Sequence, residues 1–496
     1  MESDKSLNYL LVMPRLIQNV GEGYSFPLGI AYISSAMKNA GYNVTTINLN
    51  HIEGDVCDII KDKIIKHRSN VVLTGGLSFQ YNTVKSVVDS AKKVDNKITI
   101  IIGGGIITGD PECAMDALEF VDYGVIGEGE HTICELCDAL ENNKEISKVD
   151  GLIYKSLNGY VKTKIRKEIP NLDDIPWPDY EGFEIEKFFK SSTGINGLNK
   201  DNTIFMISSR SCPYSCTFCF HTLGKKYRQR SMDNFFKELD YIISRHKINY
   251  ISLGDELFSI DINRIRDFCS RIKKYNIQWF TQLRVDRVTP EMIALLKDAG
   301  CQTISFGLES ADNRILNSMK KHTTVNQIEK ALEIVYNTGV SIEGAFIFGD
   351  IEETWETANN TLDWWSNHKQ YKVSLNLITI YPGSYLYKFA CDKGIIKDKM
   401  AYLKNGCPQV NVSKLTDEEF ASLASKIMEL SINLTNVIEN AKVVHVDYST
   451  WKINITGKCS ACDNIITEEG VKLLFTTNFI RCNKCDEKYR MVLPDD

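Results

Sequence analysis

The sequence predicts an α/β protein built from a doubly wound, Rossmann-like parallel sheet, then a partial (β/α)6 barrel, then a small metal-binding ribbon. Three observations predict it. Short β-branched runs alternate with helical periods over most of the chain, a proline-rich stretch interrupts that alternation, and the stretch from Trp451 onward carries paired cysteines. A length of 496 residues also exceeds a single core, at roughly 150 residues per domain.

The first alternation places strands at 9–13, 44–49, 71–74, 98–102 and 123–126, with helical periods between them such as Ile30, Ile33, Met37 and Ala40. In such a sheet a ligand sits beyond the carboxyl ends of the strands. The loops there are Gly75-Gly76-Leu77-Ser78, Gly103-Gly104-Gly105 and Gly127-Glu128-Gly129-Glu130. Glycines let the backbone approach a bulky ligand, and they also serve tight strand-to-helix turns. Residues 151–169 read as a hairpin. The segment from Pro170 to Pro178 holds three prolines in nine residues, which disfavours helix and central strand and marks a boundary.

The second alternation places strands at 203–208, 250–253, 279–283, 303–306, 343–348 and 374–380. Six such units fit a partial parallel barrel with its chemistry at the C-terminal rim. A helix is expected over 415–440, with Phe420, Leu423, Ile427 and Leu430 on its apolar face. The expected units are therefore 1–147, a hairpin and linker at 148–198, the barrel at 199–400, a helical extension at 401–450 and the ribbon at 451–496.

Composition narrows the function. The 58 Lys and Arg against 64 Asp and Glu leave a net charge of −6, so no basic footprint for a nucleic acid exists, and a small-molecule or peptide substrate is expected. The most apolar run, 98–107, is broken by three glycines and is far shorter than the roughly 20 residues of a membrane span. No secretory signal is visible, so a reducing cytoplasm is expected, and the 15 cysteines point to metal thiolates rather than disulfides.

The strongest signal is Cys212-Pro-Tyr-Ser-Cys216-Thr-Phe-Cys219, just after the first barrel strand. Three thiolates on one loop can hold three irons of a 4Fe-4S cluster that normally takes four cysteines. The iron left open can bind the amino and carboxylate groups of S-adenosylmethionine (SAM). With Phe218 before its last cysteine, this motif resembles the radical SAM superfamily.

Further positions extend the resemblance, which implies roles near SAM for Asp255 and Glu256, for Arg284, for Glu309 within Gly307-Leu308-Glu309-Ser310, and for Tyr381 in Tyr381-Pro382-Gly383. Each also reads as an ordinary barrel-rim residue.

The N-terminal sheet, the Leu-Asp-Asp-Ile-Pro-Trp-Pro linker and this barrel together resemble the cobalamin-binding radical SAM enzymes. That subgroup includes carbon and phosphorus methyltransferases and the anaerobic Mg-protoporphyrin ester cyclase. The resemblance implies a corrin between the two units, with Gly75, Ser78, Gly103, Gly104, Gly127 and Glu128 as its contacts. The lower-ligand motif D-x-H-x-x-G is absent, and His51 is read as a loop histidine. Ser211 stands where the family commonly has glycine, and Asp350-Ile351 replaces its Leu-Pro-Gly.

The resemblance implies a methyltransferase acting on an unactivated carbon or phosphorus through a 5'-deoxyadenosyl radical. The alternatives are an oxidative cyclase or rearrangement enzyme using the same cofactors, and a non-catalytic metal-binding scaffold. A flavodoxin- or ferredoxin-type electron donor is the implied partner.

In the tail, Cys459-x2-Cys462 and Cys482-x2-Cys485 are separated by 19 residues, the pattern of a four-thiolate zinc site. Zinc is the first reading, and a rubredoxin-like iron or an auxiliary cluster is the alternative. Cys134-x2-Cys137 lies in a helical period and reads as core. The isolated Cys57, Cys113, Cys269, Cys301, Cys391 and Cys407 read most simply as small buried hydrophobes, with Cys407 in a Gly-Cys-Pro turn the one candidate to test at the rim or the substrate site.

Overall fold

The fold is that of a computed structural model, which describes residues 7–18, 20–21, 23–191, 202–258, 260–433, 436–437, 439–447, 452–472, 478–482, 484 and 488–491. Five parallel strands make the first sheet: β1 (Asn8–Met13), β2 (Asn43–Asn48), β3 (Val71–Gly75), β4 (Thr99–Gly103) and β5 (Tyr123–Val125). Their order is β2-β1-β3-β4-β5. Along β1, Tyr9, Leu11 and Met13 enter one core while Leu10 and Val12 enter another. A strand buried on both faces reads as a continuous apolar run and needs helices on both sides. The strand order reverses between β1 and β3, which opens a crevice at their carboxyl ends.

The hairpin at 151–169 departs from expectation. Its strands, β6 (Leu152–Ser156) and β7 (Gly159–Lys162), join the first sheet, because β6 pairs antiparallel with β5. Leu152 and Ile153 are fully buried by that pairing, which fixes the hairpin as a sheet edge rather than part of a linker.

The second unit contains β8 (Thr203–Met206), a two-residue ladder of β9 (Ser209–Arg210) with β10 (Arg228–Gln229), then β11 (Tyr250–Leu253), β12 (Gln278–Leu283), β13 (Cys301–Glu309), β14 (Ser341–Phe348) and β15 (Ser374–Leu377). Six of these pair in parallel in the order β15-β14-β13-β12-β11-β8, an open partial barrel.

The helix expected over 415–440 spans Asp417–Asn433 and buries Phe420, Leu423 and Ile427. It ends at Asn433 although Leu434 and Val437 continue the helical spacing, because the β-branched Val443, Val444 and Val446 beyond them belong to a strand. That strand, β17 (Glu439–Asp447), follows β16 (Asn436–Val437) and pairs antiparallel with β18 (Lys452–Lys458), which pairs with β19 (Ile465–Lys472). The ribbon closes with β20 (Asn478–Arg481) and β21 (Lys488–Met491). It therefore begins before 451, and residues 401–450 are only partly helical. Among the described residues no helix is long and apolar enough to cross a membrane.

Candidate active site

The cysteine loop leaves the carboxyl end of β8, and the residue that holds it there is Asp255. Its fully buried carboxylate accepts the Ser208 amide at 2.5 Å and hydroxyl at 2.6 Å, and the Ser209 amide at 3.1 Å and hydroxyl at 2.7 Å. Burial raises the Asp255 carboxyl, and its hydrogen bonds from Ser208 and the Ser209 hydroxyl, with the Arg264 charge, oppose that shift. With its oxygens so committed, Asp255 anchors the loop base and is not the free cofactor contact expected from the sequence. Its neighbour Glu256 is exposed and lies within electrostatic range of Cys212 and Cys219, and surrounding protein followed by the Asp255 charge raises its carboxyl.

Further contacts clamp the loop from outside. The Thr217 amide donates to the Met319 carbonyl at 3.0 Å, and the Leu386 amide donates to the Thr217 carbonyl at 3.1 Å. Phe218 is half-buried against the N-terminal core, while Cys212 and Cys216 are half-buried and Cys219 is exposed at the open side. Burial raises all three thiols, that of Cys219 to about 12, while Lys321 and Arg284 pull Cys212 and Cys216 back down. Three thiols beside two cations suit a ligand that must take them as thiolates.

Those cations are themselves placed. The Arg284 guanidinium lies over the Tyr214 ring at 3.6 Å and donates to the Lys321 carbonyl at 2.8 Å and to Asp286 at 3.0 Å. Lys321 is buried and donates to Glu309 at 2.5 Å; Glu309 sits at a β13 irregularity with φ 66°. Arg284 and Glu309 thus flank the cysteine loop as expected, but each already has a protein partner. Tyr381 faces the other way, its ring 6.3 Å from that of Phe79 in the first unit.

On the far side of the loop lies a cavity of about 510 Å³ between the two units. Gly75, Gly103, Gly104 and Gly127 line it, opposite Ile207, Arg210, Thr222 and Leu223. Gly104 has φ 86°, and a Cβ there would meet the Gly76 carbonyl oxygen at 2.8 Å. At Gly127 a Cβ would meet nothing within 4 Å, so bare backbone faces open space. Such a glycine cradle fits a large ligand approached by backbone.

Two expected contacts are not part of this wall. Ser78 is buried outside the lining, in the short turn after Leu77. Glu128 is turned away into an ion network: Arg210 donates to it at 3.1 Å, Arg228 at 2.6 Å, and the Ile169 amide at 2.7 Å. Arg210 also donates to Glu130 at 2.7 Å, and its guanidinium lies 4.9 Å from the Tyr32 ring centre. Sequence reading missed Lys321, Tyr214, Arg210, Arg228 and Glu130. The Lys225-Lys226-Tyr227-Arg228 run resembles a solvated basic stretch, and only its partners distant in sequence reveal otherwise.

The remaining assignments divide. His51 is in a buried relay, its ring 2.6 Å from the Tyr24 hydroxyl and 3.2 Å from Glu184, and not at the cavity. Cys137 is fully buried in the core. Cys407 is 4% exposed and packed in the N-terminal core, with its thiol raised to about 12 by burial, so it is a small buried hydrophobe and lies at neither rim nor substrate site.

In the ribbon, the Cys459, Cys462 and Cys482 sulfurs lie within 4.8 Å of one another. The Cys462 sulfur is 3.5 Å from that of Cys459 and 3.6 Å from that of Cys482, and the Tyr489 hydroxyl is 2.8 Å from the Cys459 sulfur. Cys485 lies outside the described residues.

A cysteine loop at the mouth of a parallel partial barrel, set against a glycine-lined crevice of a doubly wound sheet, defines a radical SAM enzyme with a cobalamin-binding unit. Comparison with known proteins agrees: the Radical SAM superfamily matches residues 206–364, and the B12 binding domain matches residues 14–137. An uncharacterized methyltransferase of Pyrococcus horikoshii is 30% identical over 438 residues, covering 85% of this chain and 92% of that protein. The anaerobic magnesium-protoporphyrin IX monomethyl ester cyclase of Rubrivivax gelatinosus is 26% identical over 76% of this chain and 68% of its own length. Cytidylyl-2-hydroxyethylphosphonate methyltransferase of Streptomyces wedmorensis is 23% identical over 81% and 85%. The solved radical SAM methyltransferase TsrM of Kitasatospora setae, with cobalamin and a 4Fe-4S cluster bound, shares the fold at a TM-score of 0.65 and 16% identity, covering 78% of this chain and 75% of that one. The chain belongs to the cobalamin-binding radical SAM enzymes and is methyltransferase-like. That family implies a 4Fe-4S cluster, SAM and cobalamin.

Proposed function

We propose that this enzyme transfers a methyl group to an unactivated carbon or phosphorus centre of a small-molecule or peptide substrate. The observation that carries the reading is the shared wall. Thr222 and Leu223, which follow Cys219 by three and four residues, line the glycine cavity, so cluster loop and corrin cradle are two sides of one segment. When bound, the cluster and SAM supply a radical that abstracts hydrogen, and methylcobalamin supplies the methyl group.

The protein's own residues supply position and shelter. Cys212, Cys216 and Cys219 hold the irons, and Asp255 fixes the base of their loop through Ser208 and Ser209. Glu256, the exposed carboxylate beside Cys212 and Cys219, receives the amino end of SAM. Arg284 and Lys321 present their cations to the thiols, with Asp286 and Glu309 as counter-ions. Phe218 seals the loop against the N-terminal core, and Tyr381 closes the junction over Phe79. Gly103 and Gly127 leave room for the corrin, while Gly75 and Gly104 let neighbouring backbone pack closely behind them, in a wall formed largely by apolar side chains, which excludes water.

The tail is read as a structural zinc site. A tetrahedral ion with bonds of about 2.3 Å to sulfur separates its sulfurs by roughly 3.8 Å, close to the spacing within the Cys459, Cys462 and Cys482 trio, and Cys485 is the fourth cysteine the sequence supplies. A low-potential flavodoxin- or ferredoxin-type donor and a cytoplasmic setting complete the reading. The relative that acts as an ester cyclase supports a second one, oxidative cyclisation with the same cofactors.

Anaerobic purification with cobalamin supplied tests the first part: the protein should carry corrin absorption and iron, and with SAM and a strong reductant it should form 5'-deoxyadenosine. Without 5'-deoxyadenosine, catalysis by this route fails. Product mass then separates the readings, a gained methyl group against lost hydrogens.

A further inference from the structure

We infer that Ser211 and Arg228 set the position of the cluster loop against the cobalamin-binding unit, through a buried hydrogen-bonded chain that ends on Glu128. The inference rests on the reading that a cluster and a corrin bind on either side of this segment. Ser211 immediately precedes Cys212 and has φ 68°, a left-handed backbone that favours glycine. A glycine would relieve that backbone, yet a hydroxyl is present and fully engaged. It donates to the Leu223 carbonyl at 2.9 Å and accepts from Arg228 Nη2 at 3.0 Å. The strained serine therefore performs a task glycine lacks the atom for.

Arg228 carries the connection across the domain boundary. Its Nη1 donates to Glu128 Oε2 at 2.6 Å and to the Ile169 carbonyl at 3.0 Å, and its Nη2 reaches the Leu223 carbonyl at 3.0 Å. Glu128 stands between Gly127 and Gly129, both of which line the cavity. On the other side of Ser211, Arg210 closes a second limb to the same carboxylate at 3.1 Å and to Glu130 at 2.7 Å. All five side chains are buried. Two charged limbs that converge on one carboxylate resist both sliding and hinging, because charge-assisted hydrogen bonds out of water are short and directional. The separation of cluster loop and corrin cradle is thus held by the protein, which chemistry at near-attack distances demands.

The test compares the full chain, reconstituted anaerobically with iron, sulfide and hydroxocobalamin, with its Ser211→Gly and Ser211→Ala variants. The reduced cluster and cob(II)alamin are both paramagnetic, and the cluster speeds relaxation of the cobalt signal to a degree that falls steeply with separation. The variants should hold wild-type amounts of iron and corrin but lose part of that relaxation enhancement, read as easier microwave-power saturation of the cob(II)alamin spectrum. Ser211→Ala keeps the strained backbone and removes only the hydroxyl, so it must shift with Ser211→Gly. Saturation curves identical to wild type overturn the inference. So does a variant that cannot load the cluster, since Ser211 would then build the loop rather than position it. A wild-type protein with no corrin or cluster signal fails at the proposed function instead, and the inference falls with it.

Discussion

Lys321 shows how much of this site depends on single buried charges. Its ammonium is 2.5 Å from Glu309 and within electrostatic range of Cys216, and both neighbours hold it charged despite its burial. Lys321→Met leaves the Glu309 carboxylate buried without its cation, which should cost about 3–5 kcal/mol in a urea unfolding curve of the reconstituted protein, whereas adding Glu309→Leu should recover most of that loss. Glu353 behaves differently. Burial outweighs its hydrogen bonds from the Gly349 amide and the Thr357 hydroxyl and raises its carboxyl to about 7 from an ordinary 4.5. A folded pKa above the unfolded one means that the native state binds the extra proton, so this contribution is fully present below the unfolded value and is lost as pH rises through the folded one. Wild type should lose up to about 1.4 kcal/mol per pH unit across that window relative to Glu353→Gln, checked by unfolding midpoints at both ends of it. Neither effect was legible in the sequence, because burial is what creates them.

At the scale of elements, legibility followed the distance between partners along the chain. The cysteine loop and its place after a strand could be read because ligands and strand are local. Glu128 was misread because the arginines that turn it from the cavity lie 82 and 100 residues away. The helix over Asp417–Asn433 was legible as an apolar stripe, but its end was not, since the strand that follows exists only by pairing with β18. That pairing makes the ribbon a test of metal-coupled folding. Its described core is small, Ile453, Ile455, Ile466 and Tyr489 around the buried Cys459 and Cys482, with Val443, Val446 and Cys462 packed against it, so a metal bound at the cysteines would add folding free energy to a modest apolar core. A chelator strong enough to strip zinc should unfold β17 to β21 while leaving the partial barrel intact. Limited proteolysis should then cut within 439–491 only, and Cys462→Ser should show the same cut without chelator.

For the whole molecule, the question is what keeps two independently recognisable folds in one orientation. Besides the Glu128 network, the Tyr381-Pro382-Gly383 turn at the barrel's last rim loop is pressed into the first unit and the cysteine loop together. A Cβ on Gly109 would lie 2.5 Å from the Pro382 carbonyl oxygen, and one on Gly383 would lie 2.3 Å from the Phe220 ring. Gly109 has no left-handed backbone to explain it, so its missing side chain reflects the approach of the other unit. Gly109→Ala therefore sets a methyl group against backbone that cannot swing aside, and the overpacking should cost about 1–3 kcal/mol. The strain falls on the junction and not on the cradle, whose glycines are untouched. Corrin binding should thus persist by absorption while the urea midpoint drops and 5'-deoxyadenosine formation slows. A variant with unchanged midpoint and rate would show that the two units are joined more loosely than this turn implies.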